Sequence, residues 1–221
     1  MSSDRTLPAR SVVCLHGLGR SPSDWDGVVA ELGAFGDVRT PTVPRHPSAA
    51  TRRAGANVDA GAIIIGHSLG AVTALRLAAH ATRPLRALVL TGCFFPPARN
   101  ARTVRASALD YIAHRVAYVR SLGRPGAAGD SRAGTTAALA SLLGLAVRRR
   151  EFDAVAADVG SPVLVVHARD DHHVPLDFAL AAAVRRRLWT VHIMERGGHH
   201  AHVTRPTEWI NAVAPWLEGL T

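Results

Sequence analysis

The sequence predicts an α/β protein in which helices flank a mostly parallel β-sheet of about six strands. Short apolar runs rich in β-branched residues alternate along the chain with segments of helical periodicity, an order typical of a parallel sheet. One such run, residues 63–65, leads directly into Gly-His-Ser-Leu-Gly and then into a helical pattern. This is the pattern of a strand, a sharp turn and a helix. The length of 221 residues fits one domain, residues 1–221.

The apolar runs place the predicted strands at residues 11–15, 38–40, 63–65, 87–91, 162–167 and 189–194. Helical patterns cover about residues 23–32, 71–78, 103–122, 135–152 and 206–217. Pro206 suits the first turn of the last helix, where its missing N–H costs nothing. The sequence therefore predicts a single layer of strands between two layers of helices.

The net charge is +9, and all 26 basic residues are arginine. The clusters Arg148–Arg150 and Arg185–Arg187 are interpreted first as solvated helix faces. The alternative is attraction to an acidic partner, such as an acyl carrier protein, coenzyme A or an anionic substrate. No aromatic residues are interleaved with these arginines to stack on bases, so we expect no nucleic-acid partner.

Hydropathy and cysteine content indicate the cellular compartment in which we expect the protein. The longest apolar runs are too short to span a bilayer, and no apolar core of a signal peptide precedes the first strand. Cys14 and Cys93 each adjoin an apolar run, which is typical of reduced, buried thiols. We therefore expect a cytoplasmic protein without a membrane span. The sequence does not indicate an oligomeric state.

Four motifs resemble those of the α/β-hydrolase superfamily. Residues 66–70, Gly-His-Ser-Leu-Gly, resemble its nucleophile elbow, and His16-Gly17 follows the first predicted strand. Asp171 shortly precedes Val174-Pro175, and His199 follows two glycines after the last predicted strand. The order Ser, Asp, His is that of the superfamily. The resemblance covers nearly the whole chain and indicates a small member similar to serine esterases and lipases.

The resemblance implies a role for each matched residue. Ser68 would be the nucleophile, His199 the general base and Asp171 the acid that orients it, with Asp170 and His200 as alternatives. The backbone N–H groups of Leu18 and Leu69 would form the oxyanion hole. The expected reaction is cleavage of a small carboxylic ester through an acyl-enzyme intermediate, without a metal or an organic cofactor.

The resemblance also implies a helical lid, which we expect over residues 97–161. Candidate residues for lining a pocket for a small acyl substrate are His16, Trp25, His67, Cys93, Tyr111 and Val174. Core packing is the competing interpretation for Trp25 and Cys93, and a mixed packing-and-surface role is the competing interpretation for Tyr111.

Other functions are compatible with parts of the sequence. The same motifs serve thioesterases and acyltransferases that act on carrier-bound or coenzyme A-bound acyl groups, C–C bond hydrolases, and members that bind a ligand without turnover. Gly17-x-Gly19 with Asp37 resembles a dinucleotide-binding loop, but the third glycine is missing. A metal centre is the last alternative, although adjacent side chains cannot all converge on one ion. Its ligands would come from Asp170, Asp171, His172, His173, His199, His200 and His202.

Overall fold

The computed structural model describes residues 11–43, 55, 58–96, 149–184 and 186–220, and within these ranges it shows one six-stranded sheet. The strands lie in the order β2-β1-β3-β4-β5-β6, and every neighbouring pair is parallel. Their bounds are β1 Ser11–Leu15, β2 Asp37–Arg39, β3 Ile63–His67, β4 Ala87–Thr91, β5 Val163–Ala168 and β6 Trp189–Met194. Each predicted strand is confirmed, with shifts of one or two residues at some of its ends.

Helices cover both faces of this sheet. The α-helices are α1 Val29–Leu32, α2 Leu69–Ala79, α3 Arg149–Ala157, α4 Leu176–Ala183, α5 Ala201–Thr204 and α6 Pro206–Glu218. Short 3₁₀ helices lie at Pro22–Trp25, Gly33–Phe35 and Gly198–His200. Among the described residues, no helix is long and apolar enough to cross a membrane.

The strands are buried on both faces, as a parallel sheet between two helical layers requires. In β1, Val13 and Leu15 belong to the core cluster on one face, whereas Val12 and Cys14 belong to the cluster on the other. The first cluster packs beneath α2, α3 and α4, and the second beneath α1 and α6. The alternation of side chains along each strand therefore builds two separate cores.

The helix predicted over residues 23–32 is replaced by two shorter elements. The chain forms the 3₁₀ helix Pro22–Trp25, a turn, and then the single turn of α1. Gly27 lies in the break, and a Cβ at this position would approach the Pro206 Cβ to 3.3 Å. Close packing against the start of α6, together with the low helix propensity of glycine, explains the interruption.

Most of the predicted lid, including Tyr111 and the helix expected at 103–122, lies outside the described residues. Its last part forms α3, which packs on the core. The Phe152 ring is buried 5.7 Å from the Phe95 ring and 6.4 Å from the Trp189 ring, measured between centroids. The described end of this segment is therefore part of the main domain.

Parallel strands bring their carboxyl ends to one edge of the sheet. The candidate residues follow these ends: His16 follows β1, Ser68 follows β3, Asp171 follows β5 shortly afterwards, and His199 comes after β6. This edge is where open α/β sheets place their ligand sites.

Candidate active site

Ser68 forms a strained turn between β3 and α2. Its φ is 54° and its ψ is −113°, in a region that side-chain-bearing residues rarely occupy. It is the one non-glycine residue with a positive φ in the described part of the chain. Its backbone N–H donates to the carbonyl oxygen of Thr91 over 3.0 Å. Such strain persists only where surrounding structure imposes it, and it is common at functional sites.

The glycines on either side of Ser68 let three elements approach closely. A Cβ on Gly66 would lie 2.5 Å from the carbonyl oxygen of Gly70, and one on Gly70 would overlap the carbonyl oxygen of Leu15. No side chain fits in either place. The backbone of α2 therefore lies directly against the end of β1.

His199 and Asp171 form a buried hydrogen-bonded pair. Their side chains are 2% and 1% exposed, and Nδ1 of His199 lies 2.9 Å from Oδ2 of Asp171. Because an ionised carboxylate can only accept, Nδ1 carries the proton and Nε2 keeps a free lone pair. Among the described residues, Nε2 of His199 has no hydrogen-bond partner. The pair thus presents an imidazole that Asp171 orients through Nδ1 and whose Nε2 is unbound within the described structure.

Asp171 is held on its other side by its own loop. Its Oδ1 accepts the backbone N–H groups of His173 at 2.7 Å and Val174 at 3.0 Å. Burial alone would raise the pKa of Asp171, but the hydrogen bond from His199, the nearby His167 and these backbone donors hold it below its usual value. Asp171 is therefore ionised at neutral pH.

Asp170 plays a different part from its neighbour. Its carboxylate is exposed and accepts the backbone N–H groups of Gly197 at 3.3 Å and Gly198 at 2.8 Å. It therefore joins the loop after β5 to the loop that carries His199. The structure brings Asp171, and not Asp170, into contact with the imidazole.

The loop after β1 is fixed by His16. Nε2 of His16 accepts the backbone N–H of Val43 over 2.9 Å, so Nδ1 carries the proton and donates to the Gly17 carbonyl at 2.9 Å. Leu18 follows with 3% exposure, and Leu69, the first residue of α2, is 2% exposed. These two backbones lie in the turns after β1 and β3 at the same edge of the sheet.

The other candidate pocket residues are mostly enclosed. Trp25, Cys93 and Val174 are 0% exposed. Cys93 donates its S–H toward the Phe94 carbonyl at 3.9 Å, and burial raises the pKa of its thiol, so it is not a ready nucleophile. Whether any of them lines a substrate pocket stays a prediction.

Three further histidine rings, those of His67, His200 and His202, cluster next to His199. His67 lies with its ring centroid 5.0 Å from His199, 4.9 Å from His200 and 4.6 Å from His202. Burial, reinforced by the neighbouring imidazoles, lowers the pKa of His67 and His202 well below the usual value, and that of His200 to about 4. These rings are therefore neutral at pH 7.

Sequence reasoning missed the polar group formed by Asp24, His67 and His202. One potential ligand atom from each lies within 4.8 Å of the others, and all three residues are buried. Sequence reasoning placed Asp24 in the first turn of the helix predicted over residues 23–32. It considered His202 as a metal ligand only in a set with Asp170, Asp171, His172, His173, His199 and His200. The three are far apart in sequence, so no local spacing indicates their contact.

A parallel sheet with a strained serine after a central strand, and a His–Asp pair at the same edge, defines the class of α/β-hydrolase-fold proteins. The chain belongs to the alpha/beta hydrolase family, whose model matches residues 12–213. The sequence prediction of family and fold is thereby confirmed.

Individual relatives agree with this assignment. The chain is 30% identical over 213 aligned residues to a pimeloyl-[acyl-carrier protein] methyl ester esterase of Aromatoleum aromaticum, with 79% of this chain and 84% of the relative covered. Esterase RhEst1 from Rhodococcus sp. ECU1013 is similar in structure, with 22% identity, a TM-score of 0.60, and coverage of 96% of this chain and 91% of the esterase. MenH from S. aureus has 15% identity, a TM-score of 0.65, and coverage of 96% and 94%. The two structural likenesses establish the fold alone.

The packing around His199 leads to a first prediction. Gly92 and Gly198 both have a positive φ, of 52° and 60°. A Cβ on Gly92 would lie 2.9 Å from the His199 carbonyl oxygen and 3.2 Å from its Nδ1, whereas a Cβ on Gly198 meets nothing within 4 Å. Both alanine variants incur about 1 kcal/mol for the backbone conformation. The free energy of unfolding of Gly92→Ala should fall by roughly 1–3 kcal/mol more than that of Gly198→Ala, because the added Cβ crowds His199.

Urea unfolding of the two variants and the wild type measures this difference. Gly198→Ala is the matched control, because it shares the backbone cost without the contact. Equal losses of unfolding free energy in the two variants would show that a Cβ at Gly92 does not crowd His199, and would contradict the prediction.

Proposed function

We propose that the protein is a serine hydrolase that cleaves a carboxylic ester through Ser68, His199 and Asp171. The observation that carries the proposal is the His199 ring, which is bound to a buried carboxylate through Nδ1 and leaves Nε2 without a described partner. Ser68 lies at the strained elbow on the same edge of the sheet. The printed activity of the Aromatoleum relative, a methyl ester esterase, supports ester cleavage in particular.

Each side chain then has one task. Nε2 of His199 takes the Ser68 hydroxyl proton as Oγ attacks the ester carbonyl, which forms a tetrahedral intermediate. Asp171 keeps the imidazole in the required tautomer and stabilises its protonated form. The protonated His199 returns the proton to the leaving alcohol, and the acyl group stays on Ser68. Water, deprotonated by the same imidazole, then releases the acid.

The backbone N–H groups of Leu18 and Leu69 are the donors we assign to the oxyanion. Both turns are fixed before substrate binds: the first by the His16 bonds to Val43 and Gly17, and the second by the N-terminus of α2. Fixed backbone donors need no reorganisation as charge develops on the oxygen. Over the site we propose a lid formed within residues 97–161, with α3 at the end of this segment packed on the core of the main domain.

The first test is covalent labelling of Ser68 by a fluorophosphonate. Intact-mass spectrometry should show one adduct on the wild type and none on Ser68→Ala, because only an activated serine attacks the phosphorus centre. Ser23→Ala removes an exposed hydroxyl outside the site and serves as the matched control. It should be labelled as the wild type is.

The outcome separates the remaining functions. An adduct that persists on Ser68→Ala would contradict the assigned nucleophile. No adduct on the wild type would contradict an activated Ser68, and would favour a family member that binds its ligand without turnover.

The two neighbouring aspartates give a second prediction for the same reaction. Asp171→Asn should lower kcat for an activated ester by roughly 10⁴-fold, because the amide no longer stabilises the protonated imidazole. Asp170→Asn should stay within a few-fold of the wild type, because its exposed carboxylate binds the backbone of Gly197 and Gly198 and not the His199 ring, and the amide oxygen of Asn still accepts these hydrogen bonds. Losses of equal size would contradict the assignment of Asp171.

A second candidate substrate is an acyl group carried by an acidic carrier protein, as an ester or as a thioester. The relative's name specifies an acyl-carrier-protein-bound ester, and the net charge of +9 favours an acidic partner. Not every clustered arginine is free for such contact. Arg186 binds Asp153 over 2.8 Å, and its guanidinium carbon lies 5.1 Å from the Phe152 ring centroid. The exposed Arg187 is the better candidate.

Salt dependence distinguishes the two candidates. For a carrier-bound methyl ester or thioester, kcat/KM should fall by about tenfold between low and 0.5 M salt, since screening weakens charge recognition. For the same acyl methyl ester free in solution, kcat/KM should change little over this range of salt concentration. Arg187→Ala should reduce only the carrier reaction. Equal salt profiles for carrier-bound and free substrates would contradict carrier recognition.

A further inference from the structure

Behind the site lies a buried group of three polar side chains, Asp24, His67 and His202, which we call the buried triplet. One ligand atom of each lies within 4.8 Å of those of the other two. His202 is 0% exposed, His67 1% and Asp24 8%. The His202 ring packs 4.4 Å from the Trp25 ring and 6.3 Å from the Trp209 ring, between centroids. Apolar walls thus enclose a small polar centre.

The tautomer of His67 is fixed by the backbone. Its Nε2 lies 2.9 Å from the carbonyl oxygen of His199. A carbonyl can only accept, so Nε2 carries the proton and Nδ1 holds the lone pair. Nδ1 is buried without a hydrogen-bond partner in the described structure. A histidine that donates one ring N–H to a backbone carbonyl and leaves the other nitrogen free has the arrangement of a metal ligand with its supporting contact.

The His202 side chain has fewer hydrogen-bond partners than the His67 side chain. Both of its ring nitrogens are buried and lack a hydrogen-bond partner among the described residues. Buried polar atoms in native proteins almost always have a partner, which is a protein group, an ordered water or an ion. A fully buried imidazole with two unpartnered nitrogens therefore indicates that something else occupies this centre.

Asp24 supplies the negative charge. Arg20 donates to both of its carboxylate oxygens, at 2.7 and 2.6 Å. Each carboxylate oxygen has a second lone pair, so these bonds orient the group without using up its capacity to coordinate. Ligating carboxylates are commonly hydrogen-bonded in this way. The positive charge of Arg20 weakens cation binding at this carboxylate without displacing the second lone pairs.

We propose that the buried triplet binds one divalent transition-metal ion of the zinc class through two imidazole nitrogens and one carboxylate oxygen. This donor set is one that zinc uses, with water completing the tetrahedron. Zinc bonds of 2.0–2.2 Å in a tetrahedron place the ligand atoms about 3.4 Å apart. The three ligand atoms here lie within 4.8 Å of one another, so small side-chain rotations bring them to that separation. The triplet differs from the ligand sets that sequence reasoning considered, since it excludes Asp170, Asp171 and His199.

The ion would connect the parts of the chain that carry the candidate active site. Asp24 lies in the 3₁₀ helix after β1, His67 immediately precedes Ser68, and His202 lies in α5 just after His199. A bound ion would therefore fix the elbow relative to the His199 loop, which is a positioning role. It takes no part in the proposed ester cleavage, and the inference does not rest on that function.

The test is zinc binding by the chelator-stripped wild-type protein. After equilibration with Zn²⁺ and desalting, mass spectrometric metal analysis should find one zinc per chain, and zinc should raise Tm. Competition with a chromophoric chelator gives the affinity. Asp24→Asn preserves size and His202→Phe preserves a planar ring beside Trp25. Each should lower the affinity by about 100-fold or more, since even supporting residues of metal sites contribute 10–100-fold. His80→Asn, which changes an exposed histidine, is the control and should bind as the wild type.

Three results would overturn the proposal. The first is no stoichiometric zinc on the wild type, which would indicate a buried water in the centre. The second is zinc binding that survives in both ligand variants. The third, which does not depend on the variants folding, is an anomalous difference peak in zinc-loaded wild-type crystals that lies away from the triplet. Labelling of Ser68 by the fluorophosphonate should proceed with zinc bound. Loss of labelling would place the ion on His199 and Asp171 and would also overturn the proposal.

Discussion

The site depends on the close approach of α2 to the end of β1. Gly66 and Gly70 have no side chains, and the space that a Cβ would need is occupied by the backbone of α2 at Gly66 and by the backbone of Leu15 at Gly70. This approach forces Ser68 into a positive φ and directs the N-terminus of α2 to the edge of the sheet. The strained backbone conformation of Ser68 is maintained because the surrounding strands are buried on both faces and closely packed. The turn could relax only if α2 separated from β1.

One hydrogen bond connects the serine turn to the loop that carries the imidazole. The His67 ring N–H donates to the carbonyl oxygen of His199, so the residue before Ser68 holds the backbone of the proposed base. Asp171 binds the ring of His199 at Nδ1, and Asp170 binds the backbone N–H groups of the two glycines before it. The imidazole is thus held through its backbone and its side chain by different strands. A proton acceptor held in this way gains from pre-organisation, because little orientational freedom is lost during reaction.

The fold was predictable from the sequence because its strands are buried runs with clear ends. The positions of β1, β4 and β6 coincide with their predicted ranges, and Ser68 follows from the strand–turn–helix pattern. The choice between Asp170 and Asp171 was less secure, because adjacent residues share the same sequence context. Only the fold shows that one carboxylate faces the buried ring and the other faces the exposed glycine loop. The division of the predicted helix 23–32 into a 3₁₀ helix and α1 was missed, because Gly27 packs closely against Pro206 at the start of α6, more than 170 residues later in the chain.

The buried triplet shows where sequence reasoning reaches its limit. Asp24 resembles an ordinary acidic residue in a first helical turn, and His202 resembles one more histidine in a histidine-rich segment. What makes His202 unusual is burial without a partner among the described residues, and what makes Asp24 unusual is its burial beside two imidazoles with unpartnered nitrogens; both are properties of three dimensions. A neutral imidazole enclosed by Trp25 and Trp209 could be replaced by an apolar ring at no cost in hydrogen bonding. The unpartnered nitrogens of His67 and His202 beside the Asp24 carboxylate therefore argue for an occupant, and the Nδ1 lone pair of His67 gives that occupant a ligand in the residue before the proposed nucleophile.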